Sequence, residues 1–211
     1  MKKALQTLLK VTLPHFFNLY IKKVHGIENI PEKGPFIVAA NHTSYFDHLL
    51  IASTLLLKKK VYVRFLAKKE HFAGTQKFWH KLVDAIPLDR QKNWEEGLYM
   101  AYQELKKGTI IGIYPEGTRS IDGKLQKGKV GVARLALTAR VPVLPIGIAN
   151  ANTILPKGKT LPRFHRAELY IGKPMSFEKY YGKQEDLNVL KNIATQVMKE
   201  IARLSKQTYN H

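Results

Sequence analysis

No cysteine occurs among the 211 residues. That excludes disulfides, thiolate nucleophiles and cysteine-based zinc sites together, and it is compatible with a reducing compartment. Acids are scarce as well: 16 Asp and Glu stand against 35 Lys and Arg, a formal charge of +19. None precedes Glu28. No stretch reaches the ~18 uncharged apolar residues of a spanning helix. No signal peptide is expected, because Lys10 interrupts the first apolar region and no small-residue cleavage site follows. Also missing are a Walker phosphate loop, a Gly-x-Ser-x-Gly nucleophile elbow, zinc-finger spacing and aromatic-basic RNA motifs.

What is present fits one globular domain with a substantial core, since 45% of the residues are hydrophobic. The positive field attracts polyanions: nucleic acid, an anionic membrane surface or small phosphorylated substrates. The opening carries Lys2, Lys3, Lys10, Lys22 and Lys23, with Leu5, Leu8, Leu9, Thr12, Phe16 and Tyr20 at helical spacing. A basic, apolar-striped helix of this kind lies in a membrane interface. Packing on the protein's own core is the other reading. We expect an N-terminal amphipathic helical segment over residues 1–27, associated with the membrane surface and divided at Pro14, ahead of a domain over 28–211.

Strand-like and helix-like segments then alternate. Strands are expected at 36–40, 61–67, 85–88, 109–114, 141–149 and 168–172. Helices are expected at 44–57 (capped by Thr43 or Ser44), 69–82, 93–107, from Gly128 or Lys129 to 140, and 186–205, with 155–166 a long loop. The last helix would face inward through Leu187, Leu190, Ile193, Ala194, Val197, Ile201 and Leu204. The alternation predicts an α/β fold: a mostly parallel central sheet with helices on both faces.

Two clusters interrupt this pattern. Asn41-His42-Thr43-Ser44-Tyr45-Phe46-Asp47 follows the apolar run Pro35–Ala40 directly. Positions five apart on a helix diverge by roughly 140°, so His42 and Asp47 meet only if His42 precedes the helix and the chain folds back over its first turn. A carboxylate there would fix the imidazole tautomer and stabilise the imidazolium formed on proton abstraction. The plain alternative is a pair of helix caps. The second cluster, Tyr114-Pro115-Glu116-Gly117-Thr118-Arg119-Ser120, follows another apolar strand and should emerge at the same sheet edge. Gly117 permits a tight turn, Thr118, Arg119 and Ser120 supply donors, and arginine's fork suits a phosphate monoester. Downstream, Lys127-Gly128-Lys129-Val130-Gly131 precedes a helix, where backbone amides could hold an anion. Val141–Ile146 is apolar and reads as structural or as the lining of an acyl-chain channel.

In order and spacing these clusters resemble the glycerolipid acyltransferases, of the bacterial 1-acylglycerol-3-phosphate acyltransferase type, over roughly residues 24–175. The resemblance implies acyl transfer from a thioester of acyl carrier protein or coenzyme A to a lysophospholipid hydroxyl, with no other cofactor and no metal. It implies His42 as general base with Asp47 as its partner. Glu116, Gly117, Thr118 and Arg119 would contact the acceptor, with Arg90 a second phosphate contact and Lys127 nearby. Three positions depart from the family pattern: Asp84 stands where Gly is usual, Pro87 replaces an aromatic, and Tyr114 replaces Phe. The expected partners are an anionic membrane at its cytoplasmic face, a lysophospholipid and the acyl thioester, and no nucleic acid. A nucleic-acid-binding module and a metal-dependent phosphohydrolase using His42 and Asp47 as ligands remain as rivals from other classes.

Overall fold

Ile37, Val38, Ala39 and Ala40 are all fully buried, and their alternation assigns them to opposite sides of a sheet. Ile37 and Ala39 join one apolar core; Val38 and Ala40 join the other. Such a strand belongs at the centre of a sheet covered on both faces. The computed structural model describes residues 2–68, 85–88 and 94–211. Its elements run α1 (Lys2–Asn18), β1 (Ile21–His25), β2 (Ile37–Ala40), α2 (Asp47–Lys59), β3 (Val63–Lys68) and β4 (Ile86–Leu88). There follow α3 (Trp94–Lys106), β5 (Ile110–Ile113), α4 (Gly131–Ala139), β6 (Val143–Ala149), β7 (Ala167–Ile171) and α5 (Leu187–Ser205).

The seven strands form one sheet in the order β1-β7-β6-β2-β5-β3-β4. All pairings are parallel except β6 with β7. That exception follows from the connection: residues 150–166 hold no crossover helix long enough to return the chain to a parallel start. The core on one side is closed by α1 and α2, through Phe17, Leu50, Ile51 and Leu55. On the other side α3, α4 and α5 contribute Ala101, Leu105, Val132, Leu190, Ile193 and Val197. Asp186 caps α5 by accepting from the amides of Asn188 and Val189. The expected α/β architecture is present.

Several boundaries differ from those expected. The helical opening ends at Asn18, and residues 21–25 form β1, paired in parallel with β7. Pro14 lies inside α1 without dividing it; packing against α2 compensates for the missing amide bond. Helix α2 begins at Asp47 rather than Ser44, and α4 at Gly131 rather than Gly128. In α5, Leu187 is half exposed, the buried stripe starting only at Leu190. The helix expected at 69–82, with Asp84 and Arg90, lies outside the described residues. Among the described residues no helix is long and apolar enough to cross a membrane.

Candidate active site

At the end of β2, backbone pairing hands over to a side chain. The Asn41 carboxamide donates to the Ile148 carbonyl at 2.9 Å and accepts from the Ile148 amide at 2.7 Å. It thereby extends the β2–β6 ladder by one position and fixes the point from which His42 leaves the sheet. The His42 peptide is gripped on both sides by the second cluster. Its amide donates to Glu116 Oε1 at 2.8 Å, and its carbonyl accepts from the Ser120 amide at 2.8 Å. The two sequence clusters are therefore one structure.

The ring of His42 turns back over the start of α2, where Nδ1 meets Asp47 Oδ2 at 2.8 Å. The same oxygen accepts from the amides of Thr43 (2.7 Å) and Ser44 (2.8 Å). Asp47 is fully buried and occupies the first residue of the helix, where the macrodipole favours negative charge. This reverses the expected cap: Asp47 holds the loop amides of Thr43 and Ser44, and neither side chain caps α2. A carboxylate only accepts, so Nδ1 carries the proton and Nε2 is the basic nitrogen.

Tyr114 lies flat against the His42 ring, centroids 3.8 Å apart at 8°. Phe65 stacks beyond it at 5.5 Å. Gly112 makes this possible, because a Cβ there would fall 2.4 Å from the Phe65 ring. The Tyr114 hydroxyl and Asp47 Oδ1 are both buried without a hydrogen-bond partner among the described residues. Burial pushes the phenol well above its usual pKa, the Asp47 charge adds to this and Arg119 opposes it, so Tyr114 stays neutral. Since an unsatisfied buried hydroxyl costs about 1–3 kcal/mol, Tyr114→Phe should stabilise the fold by about 1 kcal/mol in chemical denaturation. Turnover should stay within about threefold; a larger drop would show that the hydroxyl takes part in the reaction.

Gly117 sits at φ 74°, the left-handed region that favours glycine. The Lys129 side chain, including Nζ, lies 3.2 Å from where its Cβ would be. Arg119 is half buried, its guanidinium stacked 3.4 Å above the Tyr45 ring. Glu116 is 2% exposed, and its second oxygen accepts from the Gln126 amide at 2.9 Å. Burial raises its pKa to about 7, against the opposing effect of those two amide bonds. Thr118 and Lys127 are exposed; Arg90 lies outside the described residues.

Part of the loop before α4 is already engaged. The amides of Gln126, Gly128 and Lys129 donate to Glu116, the Tyr209 hydroxyl and the Pro115 carbonyl. Those bonds also hold the loop extended, which explains the late start of α4. Of the loop amides near His42 that could face an oxyanion, Thr43 is committed to Asp47 and Gly117 donates to the Tyr114 carbonyl. The Thr118 amide has no partner among the described residues. Sequence reasoning assigned no role to the side chains of Asn41, Tyr45 or Lys129. The first two lie inside the first cluster, and Lys129 lies two residues from Lys127. A basic side chain one cluster away from a loop tyrosine was the available signal for the stack.

Residues 22–149 match the family model described as Acyltransferase. The chain belongs to the acyltransferase family. This acyltransferase is 30% identical over 158 residues to the 1-acyl-sn-glycerol-3-phosphate acyltransferase of Bacillus subtilis, covering 72% of this chain and 73% of that one. It is 30% identical over 176 residues to the chloroplastic 1-acyl-sn-glycerol-3-phosphate acyltransferase BAT2 of Brassica napus. There it covers 81% of this chain but only 48% of the plant protein, about half its length. The solved 1-acyl-sn-glycerophosphate (LPA) acyltransferase PlsC of Thermotoga maritima is similar with a TM-score of 0.72 and 26% identity. That match covers 100% of the acyltransferase and 85% of the PlsC chain.

Proposed function

We propose that the protein transfers a fatty acyl chain from acyl carrier protein or coenzyme A to the sn-2 hydroxyl of 1-acylglycerol-3-phosphate, giving phosphatidate. The 2.8 Å contact between His42 Nδ1 and the buried Asp47 carboxylate carries this reading. It leaves Nε2 as the basic nitrogen. His42 takes the proton from the acceptor hydroxyl, whose oxygen attacks the thioester carbonyl carbon. The tetrahedral intermediate then expels the thiolate, which takes the proton back from the imidazolium. Asp47 stabilises the charged ring between those events. No acyl-enzyme is required, because the attacking oxygen belongs to the substrate.

The acceptor phosphate is assigned to Arg119, with Arg90 and Lys127 as further cations. The guanidinium stacked on Tyr45 has lost freedom before binding, so less is lost when phosphate arrives. Lys129, beside Gly117, adds positive charge to the same loop. The Thr118 amide is the proposed oxyanion donor. The enzyme works as a peripheral protein on an anionic membrane surface at its cytoplasmic face. There α1, with Leu8, Val11 and Phe16 exposed and Leu19 exposed just past its end, meets the lipid.

Thiol release from acyl-coenzyme A and from acyl carrier protein, with and without lysophosphatidate, tests the reaction. Release that depends on lysophosphatidate supports it. Acceptor-independent release, or none with either donor, overturns the stated substrates. Arg119→Ala should raise the acceptor KM by about tenfold or more and leave the donor KM nearly unchanged, since a lost charge-assisted bidentate contact costs about 1.5–3 kcal/mol. Equal effects on both KM values would remove the phosphate assignment.

A further inference from the structure

Lys157 to Arg166 is exposed at every one of its ten positions and forms neither helix nor strand. It holds Lys157, Lys159, Arg163 and Arg166 and no acid. Between these cations stand Leu161, 80% exposed, and Phe164, 68% exposed. A lone apolar residue on a surface needs no explanation, but two in one basic loop do.

Phe164 is not isolated in space. Phe164 packs edge-on against Tyr20 at 5.5 Å, and Tyr20 against Phe16 of α1 at 5.7 Å. The apolar surface of α1 is thereby continuous with the loop. At its other end the loop is bonded to the catalytic corner. The Leu155 carbonyl accepts from the Tyr45 amide at 3.0 Å and from the Ser44 hydroxyl at 3.0 Å. Lys157 Nζ reaches the Arg119 carbonyl at 3.5 Å.

We propose that residues 157–166 form a second membrane-insertion element, in which Leu161 and Phe164 enter the interface of an anionic bilayer while the flanking cations meet headgroup phosphates. The inference rests on the membrane-surface reading above and adds a part to it. Two contact points, α1 and this loop, fix an orientation where one helix alone would leave the protein free to roll. The loop's bonds to Ser44, Tyr45 and Arg119 set that orientation relative to His42, so an acceptor anchored in lipid by its acyl chain meets the base at a defined height. The continuity with α1 favours lipid over an acidic protein, which would need the charges but not the shared apolar surface.

The cysteine-free sequence makes the test direct. Leu161→Cys in the full chain is labelled with an environment-sensitive fluorophore, with Lys199→Cys, exposed on α5, as control. Each is mixed with phosphatidylglycerol or phosphatidylcholine vesicles, and flotation is read on the same samples. With phosphatidylglycerol the label at 161 should shift to the blue and brighten severalfold, and the one at 199 should not move. The double variant Leu161→Asp, Phe164→Asp should float about tenfold more weakly or less while turning over detergent-dispersed acceptor at the unaltered rate. Flotation with a silent label at 161 overturns the loop's role and leaves α1 as the anchor. No flotation of the unaltered chain overturns the membrane-surface reading and this inference together. A label that responds to acyl carrier protein but not to vesicles overturns it in favour of a protein-docking loop.

Discussion

His42→Ala is expected to lower acceptor-dependent thiol release by about 10²–10⁴-fold, the usual contribution of a positioned general base, while the melting temperature falls by only a few degrees. The ring is held by one face on Tyr114 and one nitrogen on Asp47. Its main-chain bonds to Glu116 and Ser120 survive truncation. Asp47→Asn should cost turnover comparably, about 10⁴-fold where an analogous carboxylate fixes a tautomer, but it should also destabilise. One Asp47 oxygen serves three donors, and a carboxamide turned to keep the imidazole bond still loses the charge that strengthens all three. The double variant should be little worse than either single one, because the pair acts as a unit. Turnover retained in His42→Ala at more than about a tenth of normal would remove the general-base assignment.

Much of this corner was legible in the sequence because each cluster follows a strand buried on both faces. Pro35–Ala40 and Thr109–Ile113 have no polar face to turn to water, so β2 and β5 had to be interior neighbours. Their following loops had to emerge at one edge. The two-faced burial of β6 likewise makes Val143–Ile148 a central strand. Less legible were features set by contacts far apart in sequence. The β1 strand has an Ile-Lys-Lys-Val pattern that matches a basic helix as well as an edge strand, and its partner β7 lies more than 140 residues on. The cap at Asp47 was hidden because Thr43, Ser44 and Asp47 all have capping chemistry, and only the demand of the His42 ring selects the aspartate. Glu116 was read through its neighbours Gly117 and Arg119 as a substrate contact. Nothing local could reveal that its oxygens face amides from residues 42 and 126.

Those two amides make Glu116 the second position of large effect. A carboxylate accepts on both oxygens; a carboxamide accepts on one and opposes the other amide with its own N–H. Glu116→Gln must therefore orphan either His42 N–H or Gln126 N–H, at about 1–3 kcal/mol. Glu116→Ala orphans both and opens a cavity besides. Because the His42 amide lies next to the ring of the proposed general base, we expect either substitution to lower kcat by about tenfold or more with little change in acceptor KM. A contact to the acceptor, the role the family resemblance implies, would instead raise that KM. A carboxylate enclosed beside an expected phosphate site makes a poor direct ligand for an anion. The proton gives an independent reading. Its pKa of about 7 in the fold against 4.5 when unfolded means that the unfolded chain ionises first as pH rises. The stability that the protonated form contributes is complete below about pH 4.5 and is lost by pH 7, by up to about 3 kcal/mol. Chemical denaturation at pH 5 and pH 8 should show that loss in the unaltered protein and a smaller one in Glu116→Gln, where other titrating groups contribute equally to both. Equal losses in the two proteins would mean that Glu116 is ionised throughout, and a raised acceptor KM would return it to the substrate.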